Sequence, residues 1–161
     1  MGGAIAQQLL LDYPDAYCAG VLLGTGARLR VMPIILKTIQ ENFSAYLESF
    51  LSFAASPKTD PARLRLIAEA AARTKPQVVL GDFRACDAFD VMERLPSIRV
   101  PVLVITSEDD RLTPSKYGIF LQEKIPHATR VHIRDAGHLS PAEKPEEVNR
   151  ALLDFLSRER L

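Results

Sequence analysis

An excess of charge of either sign is the first thing missing from this sequence, whose 161 residues set 20 Lys and Arg against 20 Asp and Glu. With no basic field to hold a phosphate backbone or an anionic lipid surface, the balance argues against nucleic acid and membrane as partners. A small molecule of low charge is expected instead. Cysteine is scarce: Cys18 lies in an apolar run and Cys86 in a helical pattern, nothing in their spacing pairs them, and both are read as buried free thiols. His127, His132 and His138 show no ligand-like spacing with cysteines or carboxylates on one helix, so no metal and no other cofactor is expected. No apolar run reaches the roughly 18 residues of a membrane span, and no charged-then-apolar leader opens the chain, which reads as cytoplasmic. Internal repeats and low-complexity linkers are also missing, and the length suits one domain or one piece of a larger one.

What is present is an α/β rhythm. Residues 2–13, with Ile5, Leu9 and Tyr13 at i,i+4 spacing and Gly2, Gly3, Ala4 and Ala6 at the start, predict a helix that Pro14 ends. The apolar run from Cys18 to Leu23 predicts a strand buried on both faces, closed by Gly24-Thr25-Gly26. From Val31 to about Pro96 the periodicity is helical throughout. There Ile35, Ile39, Phe43, Leu47 and Leu51 follow one i,i+4 line, widened by Tyr46, Phe50 and Phe53. Asp60-Pro61 supplies a cap and a first-position proline for a helix running to about Thr74, and another runs from Pro76 to Cys86 with Val79, Leu80 and Phe83 inward. A βαβ unit follows: a strand at 102–106, a helix from Pro114 to about Lys124 and a strand at 129–133. The last helix begins at Pro145 and carries the stripe Val148, Leu152, Phe155 and Leu156.

The chemistry concentrates between Val100 and Pro145. The strand at 102–106 ends in Ser107-Glu108-Asp109-Asp110, and the strand at 129–133 ends in Asp135-Ala136-Gly137-His138. Ligands of open α/β sheets bind just beyond the carboxyl ends of the strands, where these polar residues could meet. An Asp110 carboxylate bonded to Nδ1 of His138 would fix the tautomer and leave Nε2 free as a general base.

The run Ile98-Arg99-Val100-Pro101-Val102-Leu103-Val104-Ile105-Thr106, then Ser107-Glu108-Asp109-Asp110-Arg111-Leu112-Thr113-Pro114, then Ala136-Gly137-His138 with Glu143-Lys144-Pro145, resembles the second half of an α/β-hydrolase in motif, spacing and order. The resemblance implies a partial α/β-hydrolase fold: three parallel strands with flanking helices and a helical lid insertion. Residues 1–30 would be the helix after the nucleophile and the first core strand, 31–96 the lid, and 97–161 the βαβα carrying acid and histidine. In the family pattern G-x-x-D-x-x-x-P the acid stands four before the proline. That position is Asp110, with Ser107 where glycine is common, which leaves Asp109 as a solvated loop charge. Gly2-Gly3-Ala4-Ile5-Ala6 resembles the small-residue helix that follows a G-x-S-x-G elbow, which implies that Met1 directly follows the nucleophile and offers its backbone N–H to the oxyanion hole. The serine is then expected at position zero. Ser107, Ser115 and Ser140 lack flanking glycines on a strand-to-helix elbow, and Ser140 reads as a loop residue; His127 and His132 read as a loop residue and a strand-face residue.

The implied activity is serine-type hydrolysis of an ester or similar acyl bond in a small hydrophobic substrate, with Asp110 and His138 as acid and base. Phe43, Phe50 and Phe53 serve either to pack the insertion onto the sheet or to wall an apolar substrate pocket. The alternative is a non-catalytic binding or assembly module derived from half a hydrolase fold. On that view the strand at 18–23 presents an open apolar edge, to be covered by a second copy or by a missing N-terminal half.

Overall fold

A computed structural model of the chain describes residues 1–160. Its sheet has three parallel strands, β1 (Gly20–Leu23), β2 (Val102–Ser107) and β3 (Ala128–Ile133), in the order β1-β2-β3. Val102 is in register with Gly20 on one side and Ala128 on the other. In chain order the helices are α1 (Gly2–Asp12), α2 (Pro33–Glu41), α3 (Phe43–Ala54), α4 (Arg65–Arg73), α5 (Pro76–Ala88), α6 (Ser115–Lys124), α7 (Ser140–Glu143) and α8 (Pro145–Glu159), with 3₁₀ turns at Pro61–Leu64 and Met92–Ser97.

All six residues of β2 are buried, as its run of Val, Ile and Thr suits a strand covered on both faces. Period-two alternation sorts its side chains between two layers. Val102 and Val104 join Leu22 of β1, Leu10 of α1 and Leu121 of α6 on one face; Leu103 and Ile105 join Ile133 of β3 and Val148, Ala151 and Phe155 of α8 on the other. Full burial of a side chain such as Leu22, Leu103, Ile105 or Leu121 contributes about 1.5–3 kcal/mol. The helical segment between β1 and β2 is anchored far more lightly, since α2 to α5 bury only Ile39 and Ala54. Its two ends leave and re-enter the core together. Arg28 and Asp90 form an antiparallel bridge and a 2.6 Å ion pair, and Val91 N–H donates to Ala27 O at 2.8 Å.

Several expectations need correcting. β1 starts at Gly20 and pairs on one side only, so Val21 is 38% exposed rather than buried between two faces, and Cys18 lies exposed in the bend before the strand. Cys86 is only partly buried, because α5 sits on the thinly packed segment. The single line Ile35–Leu51 is broken at Asn42. Its backbone leaves the helix (φ −151°, ψ 79°) and its Oδ1 accepts from Ala45 N–H at 3.0 Å, capping α3 as a separate helix, and of the five apolar residues only Ile39 is buried. Asp60 caps Ala62 N–H at 2.9 Å as expected, but what it opens is a 3₁₀ turn before α4. On α8 the buried line is Val148, Ala151 and Phe155; Leu156 lies one residue's rotation further round and is 42% exposed. Among the described residues no helix is long and apolar enough to cross a membrane.

Candidate active site

Because the strands are parallel, their carboxyl ends open on one edge of the sheet. After β1 the chain turns at Gly24 with φ +53°; after β2 it reaches Asp110; after β3 it turns at Asp135, itself at φ 51°, and arrives at His138. The three turns converge. His138 Nδ1 lies 2.9 Å from Asp110 Oδ2. A Cβ on Gly24 would stand 3.2 Å from that Nδ1 and 3.5 Å from that Oδ2 in a backbone conformation that side chains rarely adopt, so glycine is required here both by the turn and by the pair beneath it.

The Asp110 carboxylate is fully buried and fully bonded. Oδ1 accepts from the N–H groups of Leu112 (2.9 Å) and Thr113 (2.8 Å); Oδ2 accepts from the Thr113 hydroxyl (2.8 Å) and from His138. Burial alone pushes this carboxyl up, but the hydrogen bond and charge of His138, with the Thr113 N–H and O–H, outweigh it and hold the group below the ordinary carboxylate range. An ionised carboxylate only accepts, so Nδ1 of His138 must carry the proton, and the lone pair stays on Nε2. Nε2 has no hydrogen-bond partner among the described residues, and the imidazole is 26% exposed where Asp110 is not exposed at all. The pair therefore presents a basic nitrogen to an approachable space.

Thr113 contributes a measurable share. Thr113→Val removes the hydroxyl from Oδ2, and the expected cost at neutral pH is about 1–3 kcal/mol for a lost bond to a charged group. A depressed carboxyl stabilises the fold above its unfolded-state value, and that contribution fades as pH falls through the folded value. Raising the folded value therefore moves the acid-unfolding midpoint to higher pH, which a circular dichroism titration reads.

Met1 caps α1, its carbonyl accepting from Ala4 and Ile5. Two residues on, Gly3 packs so tightly on Thr25 that a Cβ would meet its Cγ2 at 2.4 Å, and Thr25 adjoins Gly24, so the amino end of α1 sits on the same turn that covers the pair. Phe50 and Phe53 line a cleft of about 250 Å³ with Met32, Ile34, Phe83 and Leu112, the last of these two residues past Asp110. No charged side chain lines it, and burial pushes the Tyr46 hydroxyl in its wall up to about 12. Phe43 stands outside the cleft, stacked on Tyr46 at 5.6 Å between ring centres. A larger groove, about 490 Å³ between β3 and α8, has a rim of mixed charge and includes neither Asp110 nor His138.

His127 lies in the turn before β3, and His132 is exposed on it, its Nδ1 3.0 Å from Thr106 Oγ1. Ser107 is buried in β2, and Ser115 starts α6 and donates to Ser107 O. Two readings fail here. Ser140 is no loop residue but the buried first residue of α7. Asp109 is no solvated charge: its Oδ2 accepts from Ser56 Oγ at 2.5 Å, and its N–H donates to Ala136 O at 2.8 Å. Among the described residues no cluster of His, Cys, Asp and Glu could hold a metal.

The model of the Alpha/beta hydrolase family matches residues 1–151. The chain belongs to the alpha/beta hydrolase family. A relative in Mycobacterium tuberculosis that carries a non-heme bromoperoxidase name, BpoC, is 32% identical over 98% of this chain and 65% of its own length. Among solved structures, a thermophilic esterase is 36% identical with a TM-score of 0.81, and the enol-lactonase of Burkholderia xenovorans LB400 is 26% identical with a TM-score of 0.90; each is matched by 98% of this chain over 63% of its own. The chain thus spans slightly under two-thirds of these hydrolase-fold relatives. The partial fold of three parallel strands and flanking helices is the one expected.

Three residues around the Asp110–His138 pair carry too little sequence signal to be singled out. Gly24 read only as a strand boundary, though its place after an apolar strand could have marked a turn with positive φ. Thr113 and Glu143 stood in the quoted motifs without a role, because a hydroxyl or carboxylate near a turn has many ordinary uses.

Proposed function

We propose that this chain forms the acid–base part of a serine-type hydrolase acting on an ester or similar acyl bond, with Asp110 as acid and His138 as base. The observation that carries the proposal is the 2.9 Å contact that commits Nδ1 of His138 to a buried carboxylate while Nε2 stays unengaged on the open edge of the sheet. Nε2 would take the proton of an attacking serine hydroxyl and later return it to the leaving alcohol, and Asp110 would steady the imidazolium formed between. The nucleophile is expected immediately ahead of Met1. There the amino end of α1 adjoins the Gly24–Thr25 turn over the pair, and the Met1 backbone N–H would serve the developing oxyanion.

The α2–α5 segment would act as the lid, its uncharged cleft taking a hydrophobic acyl or alcohol group against Phe50 and Phe53, with Phe43 supporting the wall through Tyr46. Two of the similar structures are named an esterase and an enol-lactonase, and a lactone is a cyclic ester, which supports ester chemistry for this chain. A second reading, a non-catalytic assembly module, is favoured by one observation: β1 pairs only with β2 and leaves its other edge unpaired within the sheet, Val21 exposed, where a second copy or an N-terminal half could add a strand.

Pre-steady-state hydrolysis of an activated hydrophobic ester separates the two. With the reading frame extended upstream through Gly-x-Ser, a burst of alcohol equal to the enzyme concentration is expected, with the acyl group found on that serine by mass spectrometry. Absence of both burst and acyl adduct overturns the hydrolase proposal and leaves assembly through the β1 edge.

A further inference from the structure

Glu143 is a buried ionisable group with no part in the chemistry above. It ends the four-residue helix α7, five positions after His138, and is 4% exposed. A buried carboxylate without a counter-ion persists only where donors replace its water, and here four do. Oε2 accepts from Ser56 N–H (2.8 Å), the Thr59 hydroxyl (2.6 Å) and Gly137 N–H (2.9 Å), and Oε1 accepts from Leu139 N–H (2.9 Å). Two of these donors flank His138. The other two belong to residues 54–59, the arm by which the chain leaves α3.

A capping role for α7 would need only the bond from Leu139. The reach to Ser56 and Thr59 calls for another account, and the surrounding contacts supply it. His138 N–H donates to Ala54 O at 2.6 Å, Ser56 Oγ donates to Asp109 at 2.5 Å, and Lys58 pairs with Asp135. The arm is thereby bonded to both loops that carry the acid and the histidine, and Glu143 is the buried centre of the joint.

We propose that Glu143 is a positioning residue that makes the seating of arm 54–59 and the pose of the His138 imidazole one mechanical unit, so that displacement of the arm displaces the base. The catalytic half of this inference rests on the hydrolase reading; the structural half does not.

Amide hydrogen exchange on the intact protein, as wild type, Glu143→Ala and Glu143→Gln, tests the structural half. In Glu143→Ala, exchange is expected to rise about tenfold or more at 54–59 and at 137–139 together, as in a shared local opening. Glu143→Gln keeps one oxygen acceptor but turns an amide NH₂ toward the remaining donors, so it should fall between; it serves as the reading where the alanine variant does not fold. A rise confined to 137–139 overturns the joint. With the upstream serine present, kcat is expected to drop about 10–100-fold, as small misplacements of a base can cost, with KM nearly unchanged and partly restored kcat in Glu143→Gln. An unchanged kcat alongside raised exchange in both segments overturns the positioning role. If instead His138→Ala leaves the activity intact, the hydrolase reading has failed, and exchange alone decides the joint.

Discussion

His138→Ala, in a protein carrying the upstream serine, should lower kcat toward an activated ester by about 10³–10⁶-fold, the range seen when a triad base is removed. The size follows from what the imidazole alone can do. Nε2 has no partner among the described residues, while Asp110 is sealed from solvent, so no other described group stands ready to take a serine proton at this edge. The fold should survive the change at a cost of about 1–3 kcal/mol, because the buried Asp110 loses one charged-group bond but keeps those from Leu112 and Thr113, and the backbone N–H of residue 138 still donates to Ala54 O. A cooperative melt lowered by a few degrees, with kcat reduced by orders of magnitude, is therefore the expected pair of results. Asp110→Asn should fall in the same direction with the geometry intact, since an amide NH₂ facing Nδ1 favours the tautomer that places the proton on Nε2. Ester hydrolysis undiminished in His138→Ala removes the base from the proposal altogether.

Why these two residues were legible, when those that hold them were not, has a physical explanation. Asp110 and His138 follow apolar runs whose β-branched residues announce strands, and the carboxyl ends of parallel strands must share an edge. Chain order alone then brings them near each other. Gly24, Thr113 and Glu143 act through contacts whose partners lie far away in sequence or are ordinary turn bonds: Glu143 reaches back 87 residues to Ser56, a distance no local pattern encodes. Asp109 illustrates the same limit. In an acidic turn one carboxylate looks like another, and only the arrival of the α3 arm with Ser56 turns it from a solvent-facing charge into a bonded one.

The helical segment shows the opposite failure. Its apolar residues from Ile35 to Leu51 follow one i,i+4 line, but Asn42 in the middle of that line is a better cap than helix former, and its side chain takes the Ala45 N–H. The break folds α3 back beside α2. With only Ile39 and Ala54 buried in α2 to α5, packing density does little to fix these helices to the sheet; directed bonds do, Arg28 with Asp90 where the two ends of the segment meet and the Glu143 joint at residues 54–59 within it.

The Glu143 joint makes Gly137 a position where only glycine fits without moving backbone. A Cβ there would meet Ala54 O at 2.4 Å, Ala55 C at 2.6 Å and Ser56 N at 2.6 Å, all backbone atoms that cannot rotate aside. Gly137→Ala must therefore either push the arm away from the histidine loop or tilt the loop itself. Overpacking of this kind costs about 1–3 kcal/mol, and a fall of roughly 2–4 °C in melting temperature accompanies each kcal/mol in a chain of this size. Either displacement also strains the Gly137 bond to Glu143 and the His138 bond to Ala54, so kcat should fall with stability. Gly81 provides the internal contrast. It lies in the interior of α5 with nothing within 4 Å of an added Cβ, and Gly81→Ala should stabilise by about 0.5–1 kcal/mol, through helix propensity alone. The same chemical change thus has opposite signs at two positions, and differential scanning calorimetry of the two variants measures the difference. Equal melting temperatures for Gly137→Ala and wild type, with kcat unchanged, would overturn the close seating of the arm on the histidine loop.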